Sequence, residues 1–284
     1  MKRKVFLLYA ETQIHAGAGT DVGIVDLPIQ RERTTDFPII QGMKGALRAN
    51  IKDSELEGKE EDIFGSKPSE EGTSPGKIAF SEAKILLFPV RNPCELFVWV
   101  TCPLALIRFF KNFDKAETWI ERVEKLNLSD STAIVGTNQG YICLEEIRLS
   151  AQKDRLPSEL GEKIAKCLEI TNYMRNKLKK DIVIVSDKMF SRIVKTMTEV
   201  IPRVRISEKG VVETGALWYE EYLPQDTIMY FVARETVYAK GEELDLLEKV
   251  LKGRVISVGG KETVGKGLMT VGVINCDWGC EESG

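Results

Sequence analysis

Apolar and polar residues alternate along this chain in short, well-separated blocks, and the blocks predict a mixed set of strands and helices. Lys4 to Ala10 is a near-continuous apolar run and reads as a buried strand. A loop rich in Gly and Thr follows from Thr12 to about Phe37. Met43 to Ile51 has helical spacing and carries Lys44, Arg48 and Lys52 at i, i+4 and i+8, which places three cations on one face. Glu57 to Ile63 extends a second helical piece, and Gly65 to Gly76 is loop by composition.

The middle of the chain predicts strands over Lys77 to Phe88 and Leu96 to Cys102, with a turn at Pro89, Asn92 and Pro93. Helices follow over Leu104 to Phe113 and Ala116 to Leu126. Then come a strand over Gly140 to Leu149, a helix over Glu159 to Leu168, a strand over Asp181 to Asp187, and a helix over Met189 to Thr196. Val200 to Ile206 and Val211 to Tyr219 flank Glu208-Lys209-Gly210, a hairpin signal. A strand over Thr227 to Glu235, an amphipathic helix over Glu242 to Lys252 and a closing strand over Gly267 to Asn275 complete the order. This mixed, non-repeating order favours an α+β fold with an antiparallel sheet over a doubly wound parallel one.

Composition narrows the class. The 284 residues are 43% hydrophobic and 29% charged, the balance of a globular protein with a sizeable core. The apolar stretch near Met1 is short and has no small-residue cleavage site, so a cytoplasmic location is expected. Six scattered cysteines fit free thiols; only Cys276 and Cys280 are close, and a zinc site would need two further ligands. With one histidine, His15, a two-histidine mechanism or a multi-histidine metal cage is excluded. Any catalysis must lean on carboxylates, a metal ion, lysines or positioning.

The net charge of −3 hides strong local bias. Tyr173 to Lys209 carries ten basic and four acidic residues; Pro28 to Lys52 carries five and two; Asp53 to Glu71 carries two and eight. Two basic regions and an acidic one suit a phosphate-tracking surface, although solvated faces have the same composition. Gly259-Gly-Lys-Glu-Thr-Val-Gly-Lys-Gly267 offers a backbone cradle for phosphate. It is not a nucleotide-hydrolase loop, because Gly267 stands where Ser or Thr is needed and a strand follows. The stretch from His15 to Arg31 brings the histidine, two aspartates and a cation onto a glycine-softened loop.

Taken together, the His15–Arg31 loop, Met43-Lys-Gly-Ala-Leu-Arg48 and the C-terminal glycine loop resemble the RAMP proteins of CRISPR systems. Asp26-Leu-Pro-Ile-Gln-Arg-Glu32, Asp62-Ile-Phe-Gly65, Phe88-Pro-Val-Arg91, Thr101-Cys-Pro103, Val185-Ser-Asp187, Gly215-Ala-Leu-Trp-Tyr-Glu-Glu221 and Gly259-Gly-Lys-Glu-Thr263 narrow the resemblance further. They are similar to the family of the fourth Cmr subunit, the repeated backbone of type III-B effector complexes. One departure is the helix entry. The family has G-S-S-[LM]-K-G where this chain has Gly42-Met43-Lys44-Gly45, two residues shorter.

The resemblance implies a ferredoxin-like, RNA-recognition-type palm over 1–170 and 225–284, with a thumb β-hairpin region inserted at about 171–224. It implies copies stacked head to tail on guide CRISPR RNA, with other Cmr subunits and no membrane, each cleaving the paired target RNA at regular intervals. Asp26 falls at the family's catalytic aspartate and would hold Mg2+ or Mn2+ or orient the ribose 2′-hydroxyl for attack. His15, Glu220 and Glu221 are further catalytic candidates. Arg31, Lys44, Arg48, Arg203, Arg205, Gly259, Gly260, Lys261, Gly265 and Lys266 are expected on RNA. Met189, Phe190, Trp218 and Tyr219 are candidates for a wedge between the paired strands. A scaffold that binds guide RNA and cuts nothing is the alternative.

Overall fold

The computed structural model describes residues 1–20, 25–51, 54–56, 58–66, 74–207, 210–275 and 278. Lys52, Cys276, Cys280 and the Glu208-Lys209 turn, all singled out above, lie outside them, as does much of the acidic 53–71 stretch. The chain opens with β1 (Arg3–Ala10), the short β2 (Ile39–Ile40), α1 (Met43–Asn50) and α2 (Glu60–Phe64). It continues through β3 (Ile78–Phe80), β4 (Ala83–Asn92), β5 (Leu96–Thr101), α3 (Pro103–Phe110) and α4 (Glu117–Glu124). Next come β6 (Thr132–Val135), β7 (Tyr141–Leu144), β8 (Ile147–Lys153), α5 (Leu156–Cys167) and α6 (Asn172–Leu178). After β9 (Ile182–Val185) and α7 (Asp187–Thr196) the hairpin strands are β10 (Glu199–Ile206) and β11 (Val212–Tyr222). β12 (Ile228–Glu235), α8 (Glu243–Leu251), β13 (Val255–Ser257) and β14 (Leu268–Val273) are the last of the described strands and helices.

The main sheet runs β13-β14-β1-β12-β4-β5-β9-β6-β8-β7, with β2 added on β4 and β3 on β12. Its pairs are antiparallel except β5–β9 and β6–β8, so the fold is α+β on a mixed, mostly antiparallel sheet. β1 lies between β12 and β14, and its period-two alternation feeds two cores. Phe6, Leu8 and Ala10 pack with Met43 and Leu47 of α1, Phe190 of α7 and Leu247 of α8. Val5, Leu7 and Tyr9 pack with Phe109 of α3, Trp119 of α4 and Leu160 of α5. Helices on both faces explain why β1 is continuously buried from Val5 to Ala10 rather than alternating. Among the described residues no helix is long and apolar enough to cross a membrane.

Several boundaries differ from the sequence pattern. The strand expected over Lys77 to Phe88 is β3 and β4, interrupted at Ser81-Glu82. There the Ser81 N–H donates to Val232 O while its hydroxyl accepts from Val232 N–H, so both pieces stay on β12. The strand expected over Gly140 to Leu149 is the β7–β8 hairpin, turned through Glu145 in the left-handed region (φ 49°). A Glu-Glu turn carries none of the Gly or Asn signal that marks such hairpins. The short β6, β13 and α6 have too few periodic positions to be read from sequence. Within the stretch expected as thumb, β9 is inserted between β5 and β6, and Phe190 and Ile193 of α7 sit in the core. Among the described residues only β10 and β11 form a separate two-stranded ribbon.

Candidate active site

The site is built on one strand edge. β11 uses one edge to pair with β10, and its other edge takes the loops that follow β1. Along that edge, Tyr219 N–H donates to Asp26 Oδ2 (2.7 Å), and Tyr219 O accepts from Leu27 N–H (3.1 Å). Glu221 N–H then donates to Leu27 O (3.0 Å), and Glu221 O lies 2.7 Å from His15 Nδ1. Ile14 and Leu223 close the series with a reciprocal backbone pair. Asp26 and His15 are thus anchored to backbone groups two residues apart, a separation of about 7–10 Å at ~3.4 Å per residue.

His15 is buried, and its Nδ1 faces a carbonyl, which assigns the proton to Nδ1 and leaves Nε2 with the lone pair in the neutral ring. Its ring lies 5.4 Å from that of Tyr222. Two glycines make this placement feasible. A Cβ at Gly17 would lie 2.9 Å from His15 Nε2, so a side chain there would cover the free nitrogen. Gly259 has φ 85°, and a Cβ there would lie 2.5 Å from His15 O. The glycine loop can therefore close on His15, with Gly260 N–H donating to His15 O (2.8 Å).

Glu220 points to the other side of the ribbon and is saturated. It meets Lys261 Nζ (2.6 Å), Arg203 Nε (3.2 Å), Trp218 Nε1 (2.8 Å) and the Tyr222 hydroxyl. Burial alone would raise its pKa, but hydrogen bonds from Lys261, Tyr222 and Trp218 outweigh that and hold it down to about 2. Glu220 is therefore an ionised hub joining the glycine loop to the hairpin base. Glu221 faces the opposite way and meets Arg31 Nη2 at 2.5 Å. Asp26 is exposed, and its other oxygen makes no hydrogen bond among the described residues.

The expected RNA contacts divide. Lys261 and Arg203 are held by Glu220, and Arg31 by Glu221. Lys266 bonds Gln13 Oε1, with its Nζ 5.4 Å from the Tyr222 ring centroid. Gly17, Gly259 and Gly260 line an open groove of about 490 Å³, bounded across by Ala46 and Asn50 of α1 and by Gln30. Asn50 holds the walls together by exchanging two 2.8 Å hydrogen bonds with the Ser257 backbone. Lys44 is exposed at the start of α1 and makes no ion pair among the described residues, whereas Arg48 donates to Gly65 O. Arg205 is out on the hairpin beside Glu213 (3.7 Å), and Gly265 turns the glycine loop at φ 75°. Of the wedge candidates, Met189 and Phe190 are core, Trp218 serves Glu220, and Tyr219 is exposed. Val200, Val204 and Leu217 are exposed on the Tyr219 face of the ribbon. Sequence reasoning missed Tyr222. Tyr222 follows Glu220 at the strand period of two, which was the available signal.

For a metal, the described residues contain no cluster of three or more His, Cys, Asp or Glu side chains that would hold an ion. Asp26 offers one free carboxylate oxygen. That does not make a cage, but it fits a hydrated Mg2+ held mainly by substrate phosphates.

The RAMP superfamily model matches residues 7–270. The chain is 40% identical over 284 residues to the CRISPR system Cmr endoribonuclease Cmr4 of Pyrococcus furiosus, covering 95% of each chain. It is 26% identical to the CRISPR system CMR subunit Cmr4 of Saccharolobus solfataricus, covering 96% of each. The crystal structure of oligomeric Cmr4 from Pyrococcus furiosus superposes with a TM-score of 0.69 at 32% identity, covering 96% of this chain and 98% of that one.

Proposed function

This chain belongs to the RAMP superfamily and, within it, to the Cmr4 family, and we propose that it is a guide-RNA-bound backbone subunit that cleaves the paired target RNA. The observation that carries the reading is the docking of Asp26 and His15 side by side on the free edge of β11. Guide CRISPR RNA, target RNA, further copies of the chain and other Cmr subunits are its partners. The main sheet with its helices acts as the ferredoxin-like palm. The ribbon acts as the thumb, and its exposed face of Val200, Val204, Leu217 and Tyr219 meets bases or the next copy. Guide backbone lies in the 490 Å³ groove, beside Lys44 and the uncapped first turn of α1, whose N–H groups have no side-chain partner at Gly42.

In the reaction the target's 2′-oxygen loses its proton and bonds to the adjacent phosphorus. The bond from phosphorus to the 5′-oxygen breaks, and that oxygen takes up a proton from water. The products are a 2′,3′-cyclic phosphate and a 5′-hydroxyl. Asp26 orients the 2′-hydroxyl and accepts from it. His15, with its proton fixed on Nδ1, is an acceptor at Nε2 and offers it to the 2′-hydroxyl or to a water beside it. Glu220, ionised, holds Lys261 and Arg203 at the base of the hairpin without itself exchanging a proton. Asp26 is alternatively the residue that would hold Mg2+ or Mn2+, and such an ion would supply charge neutralisation at the phosphate.

Asp26→Asn keeps the acceptor for Tyr219 N–H but removes the charge. Assembled complex carrying it should cleave complementary RNA about 100-fold more slowly or worse, with guide and target binding unchanged. EDTA should mimic the substitution on wild-type complex. Equal cleavage by both proteins would put the chemistry elsewhere, and no cleavage by either, with target bound, would make the chain a scaffold.

A further inference from the structure

We infer that the Arg31–Glu221 ion pair is a positioning device that sets the register of the Asp26 loop on β11, and thereby the phosphate at which target RNA is cut. The inference rests on the reading of Asp26 above. Neither charged group is free for RNA, because each is taken up within the protein. Every polar atom of the Glu221 carboxylate is engaged, by Arg31 Nη2 (2.5 Å) and Thr198 Oγ1 (2.7 Å) on Oε1, and by Ile29 N–H (3.1 Å) on Oε2. Arg31 Nη1 also donates to Val194 O of α7 (2.8 Å) and Asp36 O (2.9 Å). One carboxylate and one guanidinium therefore tie together the Asp26 loop, the end of α7 and the base of the hairpin.

The reason such a pin is needed is the weakness of the ladder it supports. Between Leu27 and β11 there is a single bridge, with two backbone hydrogen bonds. A slip of two residues would recreate an equivalent bridge, keep every side chain on its present face, and carry Asp26 about 7 Å along the strand. The two backbone bonds between Leu27 and β11 do not by themselves discriminate between these registers, and the bonds of Pro28 and Gln30 with Ala18 and Ala16 tie the loop to β11 only at one remove, through Ile14 and Leu223. The Ile29 and Arg31 contacts to Glu221 act on β11 directly, and only one register brings them onto that carboxylate. A buried ion pair is often no more stabilising than an apolar replacement, so fixing register is what this one supplies.

The test uses assembled complex, guide RNA and end-labelled complementary target under single-turnover conditions. The variants are Arg31→Ala, Glu221→Gln, the two combined, and Arg31→Lys. Arg31→Ala and Glu221→Gln should each slow cleavage ten- to hundredfold and spread cutting onto neighbouring phosphates, with target Kd within twofold of wild type. The double variant should be no worse than the worse single one. Arg31→Lys, which keeps the charge on Glu221, should recover most of the rate and the wild-type cut position. Unchanged cut positions in Arg31→Ala and Glu221→Gln, at any rate, would overturn the inference, as would strictly additive losses. If Arg31→Ala fails to assemble, Glu221→Gln against Arg31→Lys gives the same decision. Asp26→Asn is run alongside: its full activity would refute the active-site reading, whereas an inactive Asp26→Asn with clean cutting by the clamp variants refutes the clamp alone.

Discussion

Replacing Glu220 by Gln should destabilise the protein by about 2–3 kcal/mol at neutral pH, and the loss should fade in acid. Glu220 is 1% exposed and faces two cations. Removing one partner of a buried pair costs about 3–5 kcal/mol. Lys261 and Arg203 keep 34% and 33% of their side chains in solvent, so water compensates part of that, and the lower figure applies. The amide still accepts one hydrogen bond from Trp218 or Tyr222, but its NH2 now opposes donors. At about 2–4 °C per kcal/mol the melting temperature should fall by roughly 4–12 °C.

The pH dependence follows from the same hub. The carboxyl sits at about 2 in the folded protein, against an ordinary value of 4.5 in the unfolded chain. A depressed pKa contributes stability that is fully present above about 4.5 and is lost as pH falls toward 2. The variant has no such group, so the gap between the two proteins should be widest at pH 7 and should shrink at pH 3. Urea unfolding of both proteins at pH 7, 5 and 3 measures it. A gap near zero at pH 7, or one that stays constant into acid, would refute the picture of Glu220 as an ionised hub.

Gly17→Ala should slow target cleavage on the order of tenfold with little change in target affinity, because the new methyl lies 2.9 Å from His15 Nε2; single-turnover rates and filter binding separate the two. Gly259→Ala should lower stability by about 1–3 kcal/mol, since its φ of 85° and the 2.5 Å approach to His15 O both oppose a side chain, and a thermal melt reads this directly. Phe231→Ala should cost about 3–5 kcal/mol by chemical denaturation, because the ring is fully buried and stacked 4.9 Å from Phe6 at the centre of the sheet.

Much of the architecture was legible in the chain because its signals are local. The apolar run from Lys4 to Ala10, the helical spacing from Met43 and the two strands around Glu208-Lys209-Gly210 each record a neighbourhood that a segment meets whatever the rest does. The residue types at the site were legible for the same reason, since His15, Asp26 and the Glu220-Glu221 pair stand in short motifs. Tertiary structure alone decided what those residues do. Glu220 and Glu221 are adjacent in sequence, but a strand turns them to opposite faces, one into a cation hub and the other into a clamp with Arg31. Arg31 and Lys261 read as cations free for phosphate, yet each is held by a carboxylate about 190 or 41 positions distant. His15 and Asp26 meet on β11 because that strand leaves one edge unpaired by β10, and no local pattern encodes which loop will fill an open edge.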